Sequence, residues 1–407
     1  MTNQLGRREF ISSLGVVFGG ITAGLSVTSC SRRDPARYTE ADIELLANQI
    51  EGERRLSGQS RFGVQRFKGY RGLAELPWFE LDEVGTLVCV DTDIPKAIDI
   101  HCHFGVSVLF KPSLDLHART DRVKHLLDCD ADNPGCDLNL DIYINGNFTE
   151  ADLSQLRRET IAQGLWGSES ARSQTIPNLL AEMDASRVEQ AVILPIAFNF
   201  PFGDDLTESW HQAIHETKTS DRFILGGSVH PRDERAVERL EQFAKAGARV
   251  IKLHPTMQAF YPDEEGLMEI YEAADRLGLI IFFHGGRAGI EPESRHTYAM
   301  PRHYEGALST FPNLPFVIGH AGARDGEAML EMALRHENAW LGIHGQGITH
   351  LDHMIQKTGG ERMLFGTDWP FYHLAATLAK VLIVTEEGGR EEIRHAILRG
   401  NAERLLA

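Results

Sequence analysis

Short apolar runs alternate with longer amphipathic segments along most of this 407-residue chain. Eight of the runs are almost continuously hydrophobic, which is typical of parallel strands buried on both faces. The segments between them carry apolar residues at helical spacing, so the alternation predicts strand and helix units that close into a parallel barrel. The predicted strands cover residues 97–103, 190–196, 223–230, 250–254, 279–284, 316–320, 339–344 and 363–367, and the clearest helices cover 234–246, 265–277, 327–336, 372–386 and 390–406.

Polar side chains stand at the ends of many of these runs. His284, His320 and Asp368 each follow an apolar strand, and Lys252 and His254 end another. In a barrel the carboxyl ends of all strands meet at one face, where active sites are built. An open doubly wound sheet would instead concentrate its chemistry at one switch point. The distribution therefore favours an α/β fold of the (β/α)8 TIM-barrel type.

Two histidines end the first predicted strand. His101 and His103 are two residues apart, and side chains at that spacing point to the same side of an extended strand. Two imidazoles on one side suit a divalent metal ion, although two histidines this close, taken alone, are more often hydrogen-bonded core or loop residues than metal ligands. The polar ends of the other strands favour the metal.

The ordered motifs resemble those of the amidohydrolase superfamily. The resemblance is to its amidohydrolase-related branch, which contains nonoxidative decarboxylases of the aminocarboxymuconate-semialdehyde type. It runs from about Ile98 to the C-terminus and rests on HxH at 101–103, KLHP at 252–255, FHGG at 283–286, GHAG at 319–322 and FGTDWP at 365–370.

This resemblance implies a metal site and a catalytic imidazole. The implied metal ligands are His101, His103, His284 and Asp368, while His320 acts on the substrate. A nitrogen-rich set with one carboxylate suits zinc, so one zinc ion is the expected cofactor. Asp368 is also expected to transfer a proton from a metal-activated water. A second-metal ligand is the competing role for His320.

Other strand-end residues leave alternatives open. Lys252 is expected to present positive charge to a substrate carboxylate or oxyanion. In two-metal relatives a lysine on this strand can be carbamylated to bridge the ions, so the number of metals stays open. His230 and His344 lie in the same plane as the other strand ends, and each can serve as a ligand or support one.

Three functions are compatible with these residues. The leading expectation is a metal-dependent hydrolase that cleaves an amide, lactone or related bond in a small carboxylated or aromatic substrate. A nonoxidative decarboxylase or hydratase would use the same metal site together with an arginine or an aromatic platform, for which the candidates are Arg119, Arg122, Trp78, Trp166 and Trp369. The third is a lipid-anchored binding protein without turnover.

The first thirty residues predict export. Arg7 and Arg8 match the twin-arginine pattern, and an apolar, glycine-rich run follows to a lipobox-like Cys30. We therefore expect residues 1–30 to be a signal segment and the mature protein to be periplasmic or in the cell envelope. Its contact with the membrane would be a lipid anchor on Cys30.

The remaining chain divides into an N-terminal extension, residues 31–96, and the barrel, residues 97–407. A long insertion after the first strand, about residues 106–175, is expected to cover the barrel mouth. The formal net charge of -17 argues against a nucleic-acid partner, so the expected partner is a small-molecule substrate. Assembly into a homo-oligomer is left open.

The insertion raises two further questions. Cys129 and Cys136 flank a turn-rich segment that an exported protein could bridge with a disulfide. Asp137, Asn139 and Asp141 resemble part of a calcium loop, although a solvated acidic loop is the alternative.

Overall fold

The computed structural model describes residues 38–108, 114–130, 137–200 and 205–407. Eight of the strands in this part of the chain form one parallel sheet, which confirms the predicted barrel. In chain order the strands are β1 Arg66–Lys68, β2 Phe79–Leu81, β3 Leu87–Cys89, β4 Ala97–Cys102, β5 Asp137–Asn139, β6 Val188–Ile193, β7 Phe223–Ser228, β8 Val250–Leu253, β9 Ile280–Phe283, β10 Phe316–Ile318, β11 Ala339–Gly342 and β12 Met363–Leu364.

Helices follow most barrel strands, close to the predicted positions. The predicted last helix, 390–406, is interrupted by a π-helical turn at Ala396–Gly400. The α-helices are α1 Glu40–Leu56, α2 Glu150–Trp166, α3 Glu169–Ser173, α4 Ile176–Ala185, α5 Leu206–Thr217, α6 Ala236–Lys245, α7 Pro255–Gln258, α8 Glu265–Arg276, α9 Glu305–Thr310, α10 Gly326–Arg335, α11 Ile348–Thr358, α12 Leu374–Thr385, α13 Glu391–His395 and α14 Asn401–Leu406.

The first and last barrel strands, β4 and β12, meet to close the sheet. The amide of Ile100 donates to the carbonyl of Phe365 at 3.0 Å, and the amide of Asp368 donates to the carbonyl of His101 at 2.8 Å. A parallel bridge joins Cys102 to the residue after Asp368. Closure therefore brings the end of the first strand directly against the loop that carries Asp368.

Along several strands, alternate side chains point into the barrel. The earlier ones are apolar, and those at the carboxyl ends are polar. Val250 and Ile280 belong to the apolar cluster inside the barrel. Two and four residues further along, the same faces of β8 and β9 present Lys252 and His284. An apolar layer inside the barrel therefore lies beneath a ring of polar side chains at the strand ends, as active sites of this fold require.

The N-terminal extension packs against the insertion. β1 pairs with β5 in an antiparallel two-stranded sheet, and β2 pairs with β3 in another. Helix α1 begins with a capping box formed by Thr39 and Asp42, and Arg302 binds the Asp42 carboxylate at 3.0 Å. Further along α1, Glu53 binds Arg324 at 2.6 Å. The extension is thus fixed to loops at the carboxyl ends of the barrel strands.

The acidic residues of the insertion hold the fold together within the described part of the chain. Lys68 pairs with Asp137, and Asn139 hydrogen-bonds Ser57. Asp141 is buried and accepts hydrogen bonds from the amide and hydroxyl of Thr349. The three side chains therefore each have their own protein partner, whereas the ligands of a calcium loop would point toward one ion.

The described residues include only some of those on which the cysteine and membrane predictions depend. Cys129 is disulfide-bonded, whereas Cys89 and Cys102 are free and buried. Cys136 and the signal segment lie outside the described residues, so the Cys129 to Cys136 bridge stays a prediction. Among the helices that are described, none combines the length and apolar character needed to cross a membrane.

Candidate metal centre and substrate pocket

His101 and His103 project together from the end of β4. Their ring centroids are 4.9 Å apart, as the spacing in sequence predicted. A register irregularity between Asp99 and Cys102 turns this end of the strand. The buried Asp99 carboxylate fixes the turn, because it accepts from the amide of His101 at 2.9 Å and from the hydroxyl of Thr367 at 2.5 Å.

Asp368 stands directly opposite this pair. Its Oδ1 lies 3.4 Å from Nε2 of His101 and 3.2 Å from Nε2 of His103, and its Oδ2 lies 4.0 Å from Nε2 of His320. The backbone of Asp368 has a positive φ of 61°. Such a conformation is costly for a residue with a side chain and is found where structure and function over-determine it.

His284 and His320, at the ends of β9 and β10, are also in contact. Nε2 of His320 lies 3.0 Å from Nδ1 of His284. The ring of His254 stacks on His284 with centroids 4.0 Å apart and an interplanar angle of 10°. His320 has a positive φ of 55°, so the backbone bends sharply there. The other nitrogen of His320, Nδ1, lies 3.0 Å from the hydroxyl of Tyr143.

Lys252 and His344 complete the cluster around His101. Nζ of Lys252 lies 2.9 Å from Nε2 of His101. Nε2 of His344 lies 2.7 Å from the other ring nitrogen, Nδ1. His344 thus joins the site, whereas His230 faces the amide of Arg232 at 3.1 Å and does not line the pocket that the cluster faces.

The donor set fits a metal ion. Ligand atoms of His101, His320, His344 and Asp368 all lie within 4.8 Å of one another, and all four residues are buried. Imidazole nitrogens with one carboxylate match zinc and similar divalent ions. The six predicted site residues, including His103, His284 and Lys252, thus converge at one place, with His344 as an additional member.

Burial governs the protonation of these groups. It lowers the pKa of His101, His284, His320 and His344 well below the usual histidine value, and the nearby Lys252 charge lowers them further. The rings are therefore neutral at pH 7, which is the form that binds metal. Burial also lowers the pKa of Lys252 to about 7, although the Asp368 carboxylate acts in the opposite direction.

A cavity of about 610 Å³ opens above the cluster. Its walls are mostly apolar, and one of them is formed by α2 of the insertion. Arg157 and Arg295 add positive charge to the lining. The apolar and aromatic lining residues include Phe104, Val106, Leu156, Ile161, Leu194, Ile196, Phe198, Trp210, Met257, Ile290 and Phe371.

The aromatic and arginine candidates chosen from the sequence do not line this cavity. Trp78 and Trp369 are buried in the core, while Trp166 is half exposed. Arg122 pairs with Asp128 at 2.7 Å. The sequence could not assign these roles, because the direction of a side chain on an insertion is set by its tertiary packing. Trp210 and Arg157 line the cavity instead, and nothing in their local sequence marks them.

The fold and the family agree with known proteins. An amidohydrolase family model matches residues 98–407. An uncharacterised TIM-barrel protein from Bordetella bronchiseptica is 24% identical, with a TM-score of 0.50 over 61% of this chain and 88% of its own. The 5-carboxyvanillate decarboxylase from Sphingomonas paucimobilis is 18% identical, with a TM-score of 0.50 over 76% and 98%.

A 5-carboxyvanillate decarboxylase from Novosphingobium aromaticivorans, complexed with manganese and 4-hydroxy-3-methoxy-5-nitrobenzoic acid, is 15% identical. Its TM-score is 0.50 over 77% of this chain and 97% of its own. No curated protein sequence matches the chain significantly. At these identities the solved structures support the fold alone, whereas the family model covers more than half of the sequence. The chain belongs to the amidohydrolase family and is an enzyme.

Proposed function

We propose that the protein is a metal-dependent hydrolase that cleaves an amide, lactone or related bond in a small substrate with an aromatic or apolar body. The observation that carries the proposal is the convergence of buried imidazoles and one carboxylate at the floor of a largely apolar pocket. Apolar walls would hold the body of the substrate, and the few polar groups at the floor would orient its reacting bond.

The proposed ligands are His101, His103, His284 and Asp368. Nε2 of His101 and Nε2 of His103 both face Oδ1 of Asp368, so three donor atoms already point to one place. His344 approaches Nδ1 of His101, the nitrogen on the far side of the ring, which supports an orienting role. A set that uses His344 and His320 in place of His103 and His284 is the competing assignment.

A divalent ion held there would supply a polarised water or substrate oxygen. Zinc is the ion we propose, because the donors are mainly nitrogen. Asp368 would accept a proton from the attacking water, and His320 would deliver a proton to the leaving group or withdraw one from the substrate. Lys252, which lines the same pocket, would supply positive charge to an oxyanion or a carboxylate.

Turnover of defined probes tests the proposal. The metal-loaded protein would be assayed with 4-nitrophenyl acetate, dihydrocoumarin and 2,6-dihydroxybenzoate, with the metal-depleted protein as control. Metal-dependent opening of the lactone or hydrolysis of the ester supports the hydrolase. Absence of hydrolysis together with metal-dependent release of CO2 would replace it with the alternative described next.

The second candidate is nonoxidative decarboxylation of an aromatic carboxylate. Two features of the pocket favour it: Trp210 and Phe198 supply aromatic walls, and Arg157 and Arg295 supply charges that could hold a carboxylate. Charge reversal distinguishes the candidates. Arg157→Glu should raise the KM for 2,6-dihydroxybenzoate more than the KM for the neutral dihydrocoumarin if a carboxylate binds there.

We further propose that the enzyme is exported by the twin-arginine route and anchored by lipid on Cys30. The proposal rests on Arg7, Arg8 and Cys30 in the sequence. Further along, the hydroxyl of Tyr38 lies 3.4 Å from Nδ1 of His296, beside the pocket lining. Tyr38 lies eight positions after Cys30, and an extended chain spans at most roughly 29 Å over that length. An anchor would therefore hold the pocket close to the membrane surface.

A further inference from the structure

The geometry points to Tyr143 as a positioning residue that pairs with Nδ1 of His320 and so permits the tautomer in which Nε2 is the base. This inference rests on the role proposed for His320 in proton transfer. The Tyr143 hydroxyl lies 3.0 Å from Nδ1 of His320, and both side chains are buried. Tyr143 is not among the residues that line the cavity, so it contacts His320 from behind rather than through the substrate.

The second nitrogen of His320 is the one available for chemistry. Nε2 faces Nδ1 of His284 at 3.0 Å and Oδ2 of Asp368 at 4.0 Å, next to the pocket floor. A neutral imidazole carries one N–H and one lone pair, so the partner at Nδ1 decides what Nε2 can do. If the hydroxyl accepts from Nδ1, Nε2 is a base; if the hydroxyl donates to Nδ1, Nε2 carries a proton.

A tyrosine hydroxyl can pair with either tautomer of His320. A hydroxyl group can donate or accept by rotating its hydrogen, without displacement of any heavy atom. An ionised carboxylate in the same position would only accept, and would favour the imidazolium instead. With Tyr143 accepting from Nδ1, Nε2 can take a proton in one step to form an imidazolium that still donates its Nδ1–H to the hydroxyl, and Nε2 can return that proton in a later step.

Tyr143 is held firmly from two directions. Its backbone amide donates to the Glu53 carboxylate, which belongs to the N-terminal extension. Arg324 also binds Glu53, and its guanidinium lies 5.5 Å from the centroid of the tyrosine ring. On the opposite side the amide of Ile144 donates to Gly345, where an added Cβ would lie 2.6 Å from the ring. The extension and the barrel together fix the hydroxyl.

Other buried tyrosines show what a purely structural contact looks like. The hydroxyl of Tyr271 donates to the carbonyl of Pro262 at 2.9 Å, and the hydroxyl of Tyr70 donates to the carbonyl of Leu127 at 2.9 Å. A carbonyl only accepts, so each of these hydroxyl groups has one fixed role. Tyr143 differs because its partner can exchange the roles of donor and acceptor.

The first test compares Tyr143→Phe with Tyr271→Phe, since each change removes one buried hydroxyl. Both variants would be checked for cooperative thermal unfolding and metal content, then assayed with 4-nitrophenyl acetate and 2,6-dihydroxybenzoate. We expect Tyr143→Phe to lower kcat on the order of 10-fold to 100-fold, because Nε2 can no longer act as a base without leaving a buried N–H unpaired. KM and metal content should not change, and Tyr271→Phe should retain the kcat of the wild type.

The second readout needs no substrate. In histidine labelled with ¹⁵N at the ring nitrogens, the His320 signals can be assigned by their loss in His320→Asn. We expect Tyr143→Phe to move both signals toward a single tautomer with the proton on Nε2. Unchanged His320 signals in a folded Tyr143→Phe variant would overturn the inference.

The His320→Asn and Tyr143→Phe variants distinguish the role of His320 from that of Tyr143. If His320→Asn is inactive while Tyr143→Phe matches the wild type in kcat and in its His320 signals, the positioning role of Tyr143 is wrong and that of His320 stands. If His320→Asn retains full activity, the proposed function of His320 is wrong and the inference about Tyr143 fails with it.

Discussion

Nε2 of His320 and Nδ1 of His284 lie 3.0 Å apart, so a hydrogen bond joins the proposed catalytic ring to a proposed metal ligand. One of the two nitrogens must carry the shared hydrogen, so the tautomer of either ring constrains the other. The two residues follow adjacent strands, β9 and β10, whose ends the barrel holds side by side. The metal site and the proton-transfer site are thus coupled through a single contact.

We expect His320→Asn to fold, retain its metal and lose turnover by a factor on the order of 10² to 10⁴, the usual effect of removing a positioned acid or base. Measurement of kcat and of metal content on the same preparations checks this. Loss of metal along with activity would instead make His320 a ligand. In that case Lys252 would be suspected of carbamylation in a two-metal site.

A glycine contact controls the distance between the loops that carry His284 and His320. A Cβ at Gly286 would lie 1.8 Å from the carbonyl oxygen of Gly322. Gly286→Ala should therefore lower the free energy of unfolding by more than about 2 kcal/mol and weaken metal binding. Gly278 is a matched control. Its φ of 66° is similar, but a Cβ added there would have no neighbouring atom within 4 Å beyond the adjacent residues.

Gly278→Ala should cost only about 1 kcal/mol, the strain of a positive φ without a clash, and should leave metal binding unchanged. Urea unfolding and metal titration of the two variants provide the comparison. Equal effects of the two substitutions would show that the contact between the loops does not matter.

Glu182 should make stability depend on pH. Burial disfavours its charge, yet His373, His125 and the amide of Leu374 hold the pKa of Glu182 at about 2, below the usual 4.5. Since the folded pKa is lowered, the stabilisation is present above about pH 4.5 and is lost as the pH falls toward 2. The difference in unfolding free energy available from this shift is roughly 3 kcal/mol.

Denaturant unfolding between pH 7 and pH 3 would reveal this contribution. The wild type should lose stability more steeply than Glu182→Gln below pH 4.5. Glu241→Gln serves as the control, because Glu241 belongs to an exposed pair with Arg276 and should alter the profile little. Parallel pH profiles for the wild type and Glu182→Gln would show that Glu182 is not held in its charged form.

Export can be tested in cells. Replacing Arg7 and Arg8 together with lysine should retain the precursor in the cytoplasm, because the arginine pair is the recognised export signal. Cys30→Ala should instead block attachment of lipid while the export signal remains intact. Fractionation and lipid labelling separate the two effects, and normal processing of both variants would contradict the proposal.

The barrel and the meeting of its polar strand ends could be predicted because a parallel barrel places every such end on one face. That rule brought His101, His284 and Asp368 together from distant parts of the chain. It could not reveal Tyr143, which contacts His320 across 177 residues and lies in an insertion without a repeating pattern. Nor could it reveal Glu182, whose importance arises from burial beside His125 and His373.

We propose that His101, His103, His284 and Asp368 hold one divalent ion on which activity depends. Elemental analysis of the purified protein tests it most directly, with His101→Ala and Asp368→Ala as ligand variants. His353→Ala is the control, because His353 pairs with Glu327 on the outer helices. We expect one zinc per chain in the wild type and in His353→Ala and none in the two ligand variants. A full complement of metal in all four proteins would show that these residues do not hold the ion.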